Sequence, residues 1–184
     1  INNVVADHIP SFTNDTLTSN AGNYLRITTG AFTANRTITT ANCPGGALYT
    51  TANLSVPAGV TLNLQAGVVV KFNTSVQANV DGTLHANGTA ASPVVLTSAS
   101  DDAFGGDTNN NGVSSGNPGQ WRGLILSSTA SASTLTSTYV RYAGYANQSA
   151  IELSACNANL NACHIDSAYA NGLDLDNTTF AATV

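Results

Sequence analysis

The segments GLILSS (Gly123–Ser128), AIELSA (Ala150–Ala155) and GLDLDN (Gly172–Asn177) repeat one pattern along the chain. Each holds two apolar residues separated by one other residue and flanked by small or polar residues. A second unit, LTSTYV (Leu135–Val140), matches LNACHI (Leu160–Ile165) at a similar interval. Two or three short strands in each such repeat are typical of a β-solenoid, in which each coil places its inward side chains over those of the preceding coil.

The rest of the chain favours the same all-β class. Its 184 residues include 22 Asn and 24 Thr, whereas good helix formers are scarce. Asn-Gly pairs at 87–88, 111–112 and 171–172 are hairpin signals that would suit a β-sandwich. We prefer the solenoid because the matched segments preserve position as well as pattern.

Longer segments resemble a known family. They are VPAGVTLNLQAGVVVKF (Val56–Phe72), VDGTLHANGTAASPVVLTS (Val80–Ser98), the stretch from Asp101 to Ile125, and YVRYAG (Tyr139–Gly144). Over about residues 48–177, the chain is similar to the right-handed parallel β-helix (pectate-lyase-like) domains of large secreted bacterial proteins. The repeats predict coils of about 22–27 residues, which gives about six to seven coils if each takes roughly 25 residues. The resemblance does not fix activity, because such helices serve as adhesin stalks, filament subunits, ice-binding faces and glycan-cleaving enzymes.

The same comparison divides the chain. Residues 1–47 do not match the coil pattern clearly, and we interpret them as an N-terminal cap or entry segment. Residues 48–184 are predicted to form the coils, with a long loop at 99–120. Ile1 at the start would suit a processed secretory precursor or a fragment. At the other end, the chain stops at Val184 soon after a repeat, which suggests further chain or a neighbouring subunit over that end.

The charge and the short apolar runs of the chain argue against two classes of partner. Charged residues make up 8% of the chain, the net charge is −5, and the five Lys and Arg residues are scattered singly. Nucleic-acid binding is therefore not expected, because it needs a basic surface to neutralise phosphates. The longest apolar runs are only a few residues, as in Gly67–Val70, so we also predict no membrane insertion.

The loop at 99–120 contains the most site-like motif. Asp107-Thr-Asn109-Asn-Asn111-Gly112 reproduces the opening of a calcium-binding loop, in which oxygens at alternate positions converge on one ion. The twelfth position holds Pro118 instead of the Glu of an EF-hand. The loop is therefore not an EF-hand. It is a candidate site for a structural calcium ion in which Asp101 and Asp102 would replace the missing carboxylate, and the alternative is plain turn chemistry. The candidate ligands are Asp101, Asp102, Asp107, Asn109 and Asn111.

Two sets of residues are candidates for catalysis. A lyase would need Arg122 or Arg141 near the acids of the loop, to remove a proton beside a uronate. A glycosidase would need a cluster of carboxylates, for which Asp166, Asp174 and Asp176 are the candidates. Both arginines lie in strand-like repeats, and the acids lack His and Lys neighbours. We therefore assign no catalytic residue. The histidines, at 8, 85 and 164, are isolated and lack zinc-ligand spacing.

Aromatic and hydroxyl side chains suggest surface binding instead. A sugar- or partner-binding face could be lined by Trp121 and by tyrosines at 139, 142, 145 and 169, although some of these must belong to coil packing. An ice-binding face would need a sustained Thr array. Thr134, Thr136 and Thr138 form one row, but the matching coil has Asn159, Asn161 and Cys163, so the array is not sustained.

Three cysteines remain. Cys156 and Cys163 lie close together along the chain and are the candidate disulfide of an extracellular protein, which would leave Cys43 free or intermolecular. Cys43 could pair with either one only if the N-terminal segment folded back along the helix. Three thiols in a cytosolic protein are the remaining alternative.

These observations predict a non-catalytic structural or adhesive β-helix module, extracellular or on the cell surface and exported by a bacterium. Its partners would be further copies, stacked end to end into a filament or placed within a longer stalk. The alternative is a β-helix that binds or cleaves polysaccharide. The partner, any substrate and the oligomeric state lie beyond what the sequence specifies.

Overall fold

The computed structural model describes residues 4–17, 20 and 22–177 as an all-β protein built from parallel strands. The strands, in chain order, are β1 (Val4–Val5), β2 (Leu25–Thr29), β3 (Arg36–Ile38), β4 (Leu48–Thr50), β5 (Leu54–Val56), β6 (Thr61–Gln65), β7 (Val69–Phe72), β8 (Gln77–Val80), β9 (Thr83–Asn87), β10 (Val94–Ser98), β11 (Gly123–Leu126), β12 (Thr134–Thr136), β13 (Thr138–Arg141), β14 (Ile151–Ser154), β15 (Asn159–Asn161), β16 (His164–Asp166) and β17 (Leu173–Asp176).

These strands form three sheets that run the length of a β-solenoid of about seven coils. Sheet 1 has the order β1-β2-β4-β7-β10-β13-β16, sheet 2 has β5-β8-β11-β14-β17, and sheet 3 has β3-β6-β9-β12-β15. Every pairing between neighbours is parallel. Four short 3-10 helices, the longest at Ala6–Ser11, are the only helices in the described residues.

The register confirms the predicted repeats. Leu124 pairs with Ile151 and Ile151 with Leu173, as the alignment of the first set of segments predicts. Leu135 pairs with Leu160, and Val140 with Ile165, as the alignment of the second unit predicts. The prediction succeeded because each inward side chain must lie over its counterpart in the coil before, which preserves position as well as polarity.

The core is a set of inward columns of apolar side chains. Leu62, Leu84, Leu124 and Leu153 are all at most 3% exposed and belong to one continuous apolar cluster. Trp121 lies in this cluster, stacked on Phe72 with a centroid distance of 4.2 Å, and its indole N–H donates to the Arg141 carbonyl at 2.7 Å. The aromatic pair thus fills the interior where two coils meet.

Strands of the same sheets also occur in the segment before residue 48. Residues 25–29 and 36–38 form β2 and β3, which pair in register with β4 and β6. The 3-10 helix at Ala6–Ser11 buries Ala6 and Ile9 completely in the core. Its segment is held by the Asn42 amide, which donates to the Phe12 carbonyl at 2.7 Å. This helix contacts β1, β2 and β3, the first strands of sheets 1 and 3.

The chain leaves the coil after β10 and returns at β11. Residues 99–120 cross the outer face of sheet 1, where Phe104 packs edge-on against Tyr139 at a centroid distance of 6.0 Å. Together they cover Ala47, Val69 and Val95, which form a second small apolar cluster outside the main core. Every residue of β7 and β10 is therefore buried, and the apolar runs Val68–Val70 and Val94–Leu96 are typical of strands covered on both faces.

The C-terminal end of the described stack is open. Leu173 and Leu175 pair with Ile151 and Leu153 of the preceding coil and continue their columns. They are nevertheless 41% and 46% exposed. No helix among the described residues has the length and apolar character to cross a membrane.

Candidate functional site

The register places four polar residues of sheet 1 in one outward-facing column beneath the 99–120 loop. Lys71 pairs with Thr97, and Arg141 pairs with Asp166. Because Leu96 pairs with Val140, Thr97 lies beside Arg141. Asp101 and Asp102 enter from the start of the loop. We call Lys71, Asp101, Asp102, Arg141 and Asp166 the covered ionic cluster.

Asp101 is the centre of this cluster. Its side chain is 1% exposed, and one oxygen, Oδ2, accepts from Arg141 Nη1 and from the Thr97 hydroxyl, each at 2.7 Å. Arg141 Nε also bonds Asp166 at 3.1 Å. Burial by itself lowers the pKa of Arg141, but the carboxylates of Asp101 and Asp166 outweigh it and raise that pKa above its usual value. Arg141 is therefore a fixed cation that joins the loop to two coils.

Lys71 is the other buried cation. Its side chain is completely buried, its ammonium donates to the Gly106 carbonyl, and Nζ lies 4.0 Å from Asp102 Oδ1. That oxygen has no hydrogen-bond partner, so Lys71 is its charge partner. Burial lowers the pKa of Lys71, partly opposed by nearby carboxylates, chiefly Asp102. The sequence analysis missed this residue, and its only signal was a single Lys inside the apolar run VVVKF.

The predicted calcium ligands are engaged in other contacts. Asp102 Oδ2 accepts the Ser114 amide at 2.6 Å. The Asp107 carboxylate accepts the amides of Asn111 at 3.2 Å and Gly112 at 2.9 Å, which closes its own turn. Asn109 donates to the Ser100 hydroxyl at 3.2 Å. The structure therefore gathers Asp101 and Asp102 under the loop but leaves Asp107 in a separate turn at the surface.

These residues do not fit a calcium ion as they are arranged. The best-buried carboxylates already face the cations Lys71 and Arg141, and a divalent ion beside them would meet two like charges. In the described ranges, no three His, Cys, Asp or Glu side chains converge as metal ligands. Calcium binding by Asp101, Asp102, Asp107, Asn109 and Asn111 stays a prediction, and the contacts argue against it.

The candidate catalytic residues are dispersed. Arg122 donates to the Ser75 carbonyl at 3.1 Å, away from the bonds that Arg141 makes to Asp101 and Asp166. Asp166 lies in sheet 1, whereas Asp174 and Asp176 are exposed on β17 of sheet 2. The three acids therefore do not share one sheet.

The histidines have separate surroundings. His8 is exposed, and His85 Nδ1 is 2.8 Å from the Thr134 hydroxyl. His164 lies 3.3 Å from Asp166, so the expectation that the candidate acids lack a His neighbour is wrong for this one, and it tilts over the Tyr139 ring at 5.1 Å.

Only part of the predicted aromatic face is accessible. Trp121 and Tyr142 are buried, and Tyr139 is half-buried beneath Phe104. Tyr145 and Tyr169 remain 37% and 62% exposed. They flank an open cleft of roughly 280 Å³ at the corner between sheets 1 and 2.

The predicted Thr row is divided between two sheets. Thr134 and Thr136 face outward on β12, opposite Asn159 and Asn161, whereas Thr138 is buried in β13.

All three cysteines are free thiols in the structure. Cys43 and Cys156 are buried, and Cys163 is half-buried with its Sγ 3.3 Å from the Leu135 carbonyl oxygen. Burial raises the pKa of the Cys43 thiol to about 12. A bond between Cys156 and Cys163 stays a prediction.

The fold and these contacts define the chain as a parallel β-solenoid whose outer face carries a covered ionic cluster and an exposed tyrosine cleft. No family model matches the chain, and comparison with curated proteins and with solved structures finds no significant similarity.

Proposed function

We propose that this chain is a non-catalytic structural or adhesive module of an extracellular or cell-surface protein, related to the pectate-lyase-like helices of secreted bacterial proteins that its sequence resembles. We further propose that it associates end to end through its C-terminal coil. The observation that carries this proposal is the exposure of the β17 leucines in the last described coil, whereas the 3-10 helix beside the first strands is packed with Ala6 and Ile9 buried.

The physical argument concerns unpaired edges and uncovered apolar side chains. In β17, Leu173 and Leu175 continue the core columns but are 41% and 46% exposed. The same coil leaves one edge of β15, β16 and β17 without a neighbour in the described residues. Unpaired strand edges favour addition of another strand. A second copy, or the next coil of a longer stalk, would satisfy both the backbone groups and the leucines.

The 3-10 helix at Ala6–Ser11 affects which ends of two copies can come into contact. It packs against β1, β2 and β3 and buries Ile9 in the core. A copy stacking on the end formed by these first strands would have to displace it. Contact between two C-terminal coils is therefore favoured, so pairs should outnumber filaments.

Light scattering after size exclusion tests this proposal over a range of concentrations, with electron microscopy of the same samples. We expect the double variant Leu173→Asp/Leu175→Asp to be monomeric where the native chain is a dimer, because charges would be placed at the joint. Asn161→Asp is the matched control, since it adds charge to the last coil at an exposed position of sheet 3. A native chain that stays monomeric at the highest concentration would overturn the proposal.

Polysaccharide cleavage is less well supported. The cation best placed for it, Arg141, is held between Asp101 and Asp166 and joins the loop to the coils. A screen of acidic and neutral glycans for unsaturated products or new reducing ends tests this. Turnover abolished by Arg141→Ala or Arg122→Ala, in a variant that is still folded, would replace the structural proposal with an enzymatic one.

A further inference from the structure

The open cleft between sheets 1 and 2 is built by three successive coils. Residues 118–119 come from the end of the long loop, 145–147 from a turn of the next coil, and Tyr169 from the coil after it. The lining consists of Pro118, Gly119, Tyr145, Ala146, Asn147 and Tyr169. The two tyrosines provide its aromatic surface.

The two tyrosines occupy equivalent positions in consecutive coils. The Tyr145 amide donates to the Trp121 carbonyl at 3.0 Å, and the Tyr169 amide donates to the Ala143 carbonyl at 2.9 Å. Trp121 and Ala143 are themselves paired across neighbouring coils. The tyrosine backbones are therefore one coil apart, about 4.8 Å along the solenoid axis. This repeat gives the cleft two aromatic side chains in a fixed relation.

Gly119 holds the Tyr169 ring in place. A Cβ at position 119 would lie 3.1 Å from Tyr169 Cβ and 3.3 Å from Cγ, so the side chain packs directly on the glycine backbone. Gly119 also has a positive φ of +79°, which disfavours any larger residue. The ring is thus supported on one side and 62% exposed overall. A ring that is ordered before binding loses less entropy when a ligand stacks on it.

The chemistry of the lining selects a neutral polar ligand. The six lining residues include no Lys, Arg, His, Asp or Glu. The Arg122 guanidinium lies over the Tyr145 ring, 5.9 Å from its centroid, and donates to the Ser75 carbonyl. The cleft therefore offers aromatic surface, phenol hydroxyls and the Asn147 amide. A sugar ring matches this set, because its C–H face packs on an aromatic ring while its hydroxyls bond amides and phenols.

We propose that this cleft binds a neutral glycan, stacked on Tyr145 and Tyr169 and hydrogen-bonded by Asn147. This would give the proposed structural module its adhesive partner. The site lies at the side of the stack, so it is independent of the contact proposed for the C-terminal coil.

Binding can be measured by calorimetry with neutral oligosaccharides built from glucose, mannose, xylose and N-acetylglucosamine, beside oligogalacturonate as a charged comparator. We expect binding of at least one neutral oligosaccharide, weakened about tenfold or more by Tyr169→Ala. Tyr169→Phe should retain most of the affinity, because it keeps the ring. Tyr24→Ala is the control, since Tyr24 lies near the N-terminal end and packs against Tyr49 instead.

The outcomes separate the two proposals. Failure of all the neutral oligosaccharides to bind, binding of oligogalacturonate alone, or neutral binding unaffected by Tyr169→Ala and by Tyr145→Ala would each overturn the glycan site. The oligomeric state measured by light scattering should be unchanged in the tyrosine variants. Conversely, Leu173→Asp/Leu175→Asp should retain glycan binding, so loss of dimers alone would count only against the end-to-end contact.

Discussion

The outer faces of sheets 1 and 3 share the same parallel pairing but have different surroundings. Sheet 3 carries polar residues such as Asn63, His85 and Thr134 on its outer face, and β6 and β9 alternate between buried and less buried positions. Sheet 1 carries Lys71 and Arg141 on its outer face and is covered by the 99–120 loop. A strand that alternates strictly between apolar and polar residues has one face exposed to solvent. A strand with a continuous apolar run is expected to be covered on both faces.

The difference also concerns how polar groups are satisfied. The outward polar groups of sheet 3 can bond to water and to their neighbours, as His85 does with Thr134. The polar groups of sheet 1 are removed from water and need protein partners, which Asp101 and Asp102 supply. Removing one partner should therefore cost far more on sheet 1 than on sheet 3.

The largest effect is expected for Asp101→Ala. It would leave Asp166 as the one carboxylate paired with Arg141 among the described residues and would remove the acceptor of the Thr97 hydroxyl. We expect a loss of about 3 kcal/mol in the free energy of unfolding, measured by urea denaturation. Thr134→Ala on sheet 3 is the control and should change the free energy of unfolding by about 0.5 kcal/mol or less. Equal effects of the two variants would contradict the distinction between covered and solvated faces.

Phe104→Ala should have the next largest effect. Phe104 packs against Tyr139 and lies 5.2 Å from the Arg141 guanidinium, so it anchors the loop by apolar and cation–π contacts. We expect a loss of about 1–2 kcal/mol, with faster hydrogen exchange in the loop and unchanged exchange in sheet 3. If sheet 3 were affected as strongly as the loop, Phe104 would not be a local anchor.

A smaller effect should appear in the pH dependence of stability. Burial lowers the pKa of Lys71, so the folded protein binds its proton less tightly than the unfolded chain does. The free energy of unfolding should then rise with pH between the lowered pKa and about 10.4, the ordinary value for lysine. Urea denaturation at several alkaline pH values measures this rise. The Lys71→Met variant should not show this rise. Subtracting its pH dependence from that of the native chain removes the contributions of other titrating groups such as Tyr49.

The smallest effect is expected for calcium. The carboxylates of Asp101, Asp102 and Asp107 already accept bonds from protein donors, so the melting temperature should be equal in calcium chloride and in chelator. Differential scanning calorimetry measures both. A higher melting temperature in calcium that Asp107→Ala abolished would support the calcium site predicted from the motif.

The sequence predicted which residues pair between neighbouring coils, but it did not predict the contacts that the aspartates make. The pairing of Leu124 with Ile151 follows from polarity and position repeated at a regular interval. The Asp107 motif predicted a metal from local spacing, yet its oxygens close a local turn. Lys71 was missed because one lysine in an apolar run does not indicate what will cover it.

The sequence by itself determined the all-β class, the length of the coils and the stacking partners, because each coil must repeat the inward side chains of its neighbour. Only the tertiary structure decided the path of the 99–120 loop, and with it the contact between Asp101 and Arg141, which lie 40 residues apart. It also decided which tyrosines remained accessible. Such contacts depend on where an irregular segment folds back, and no repeat encodes that position.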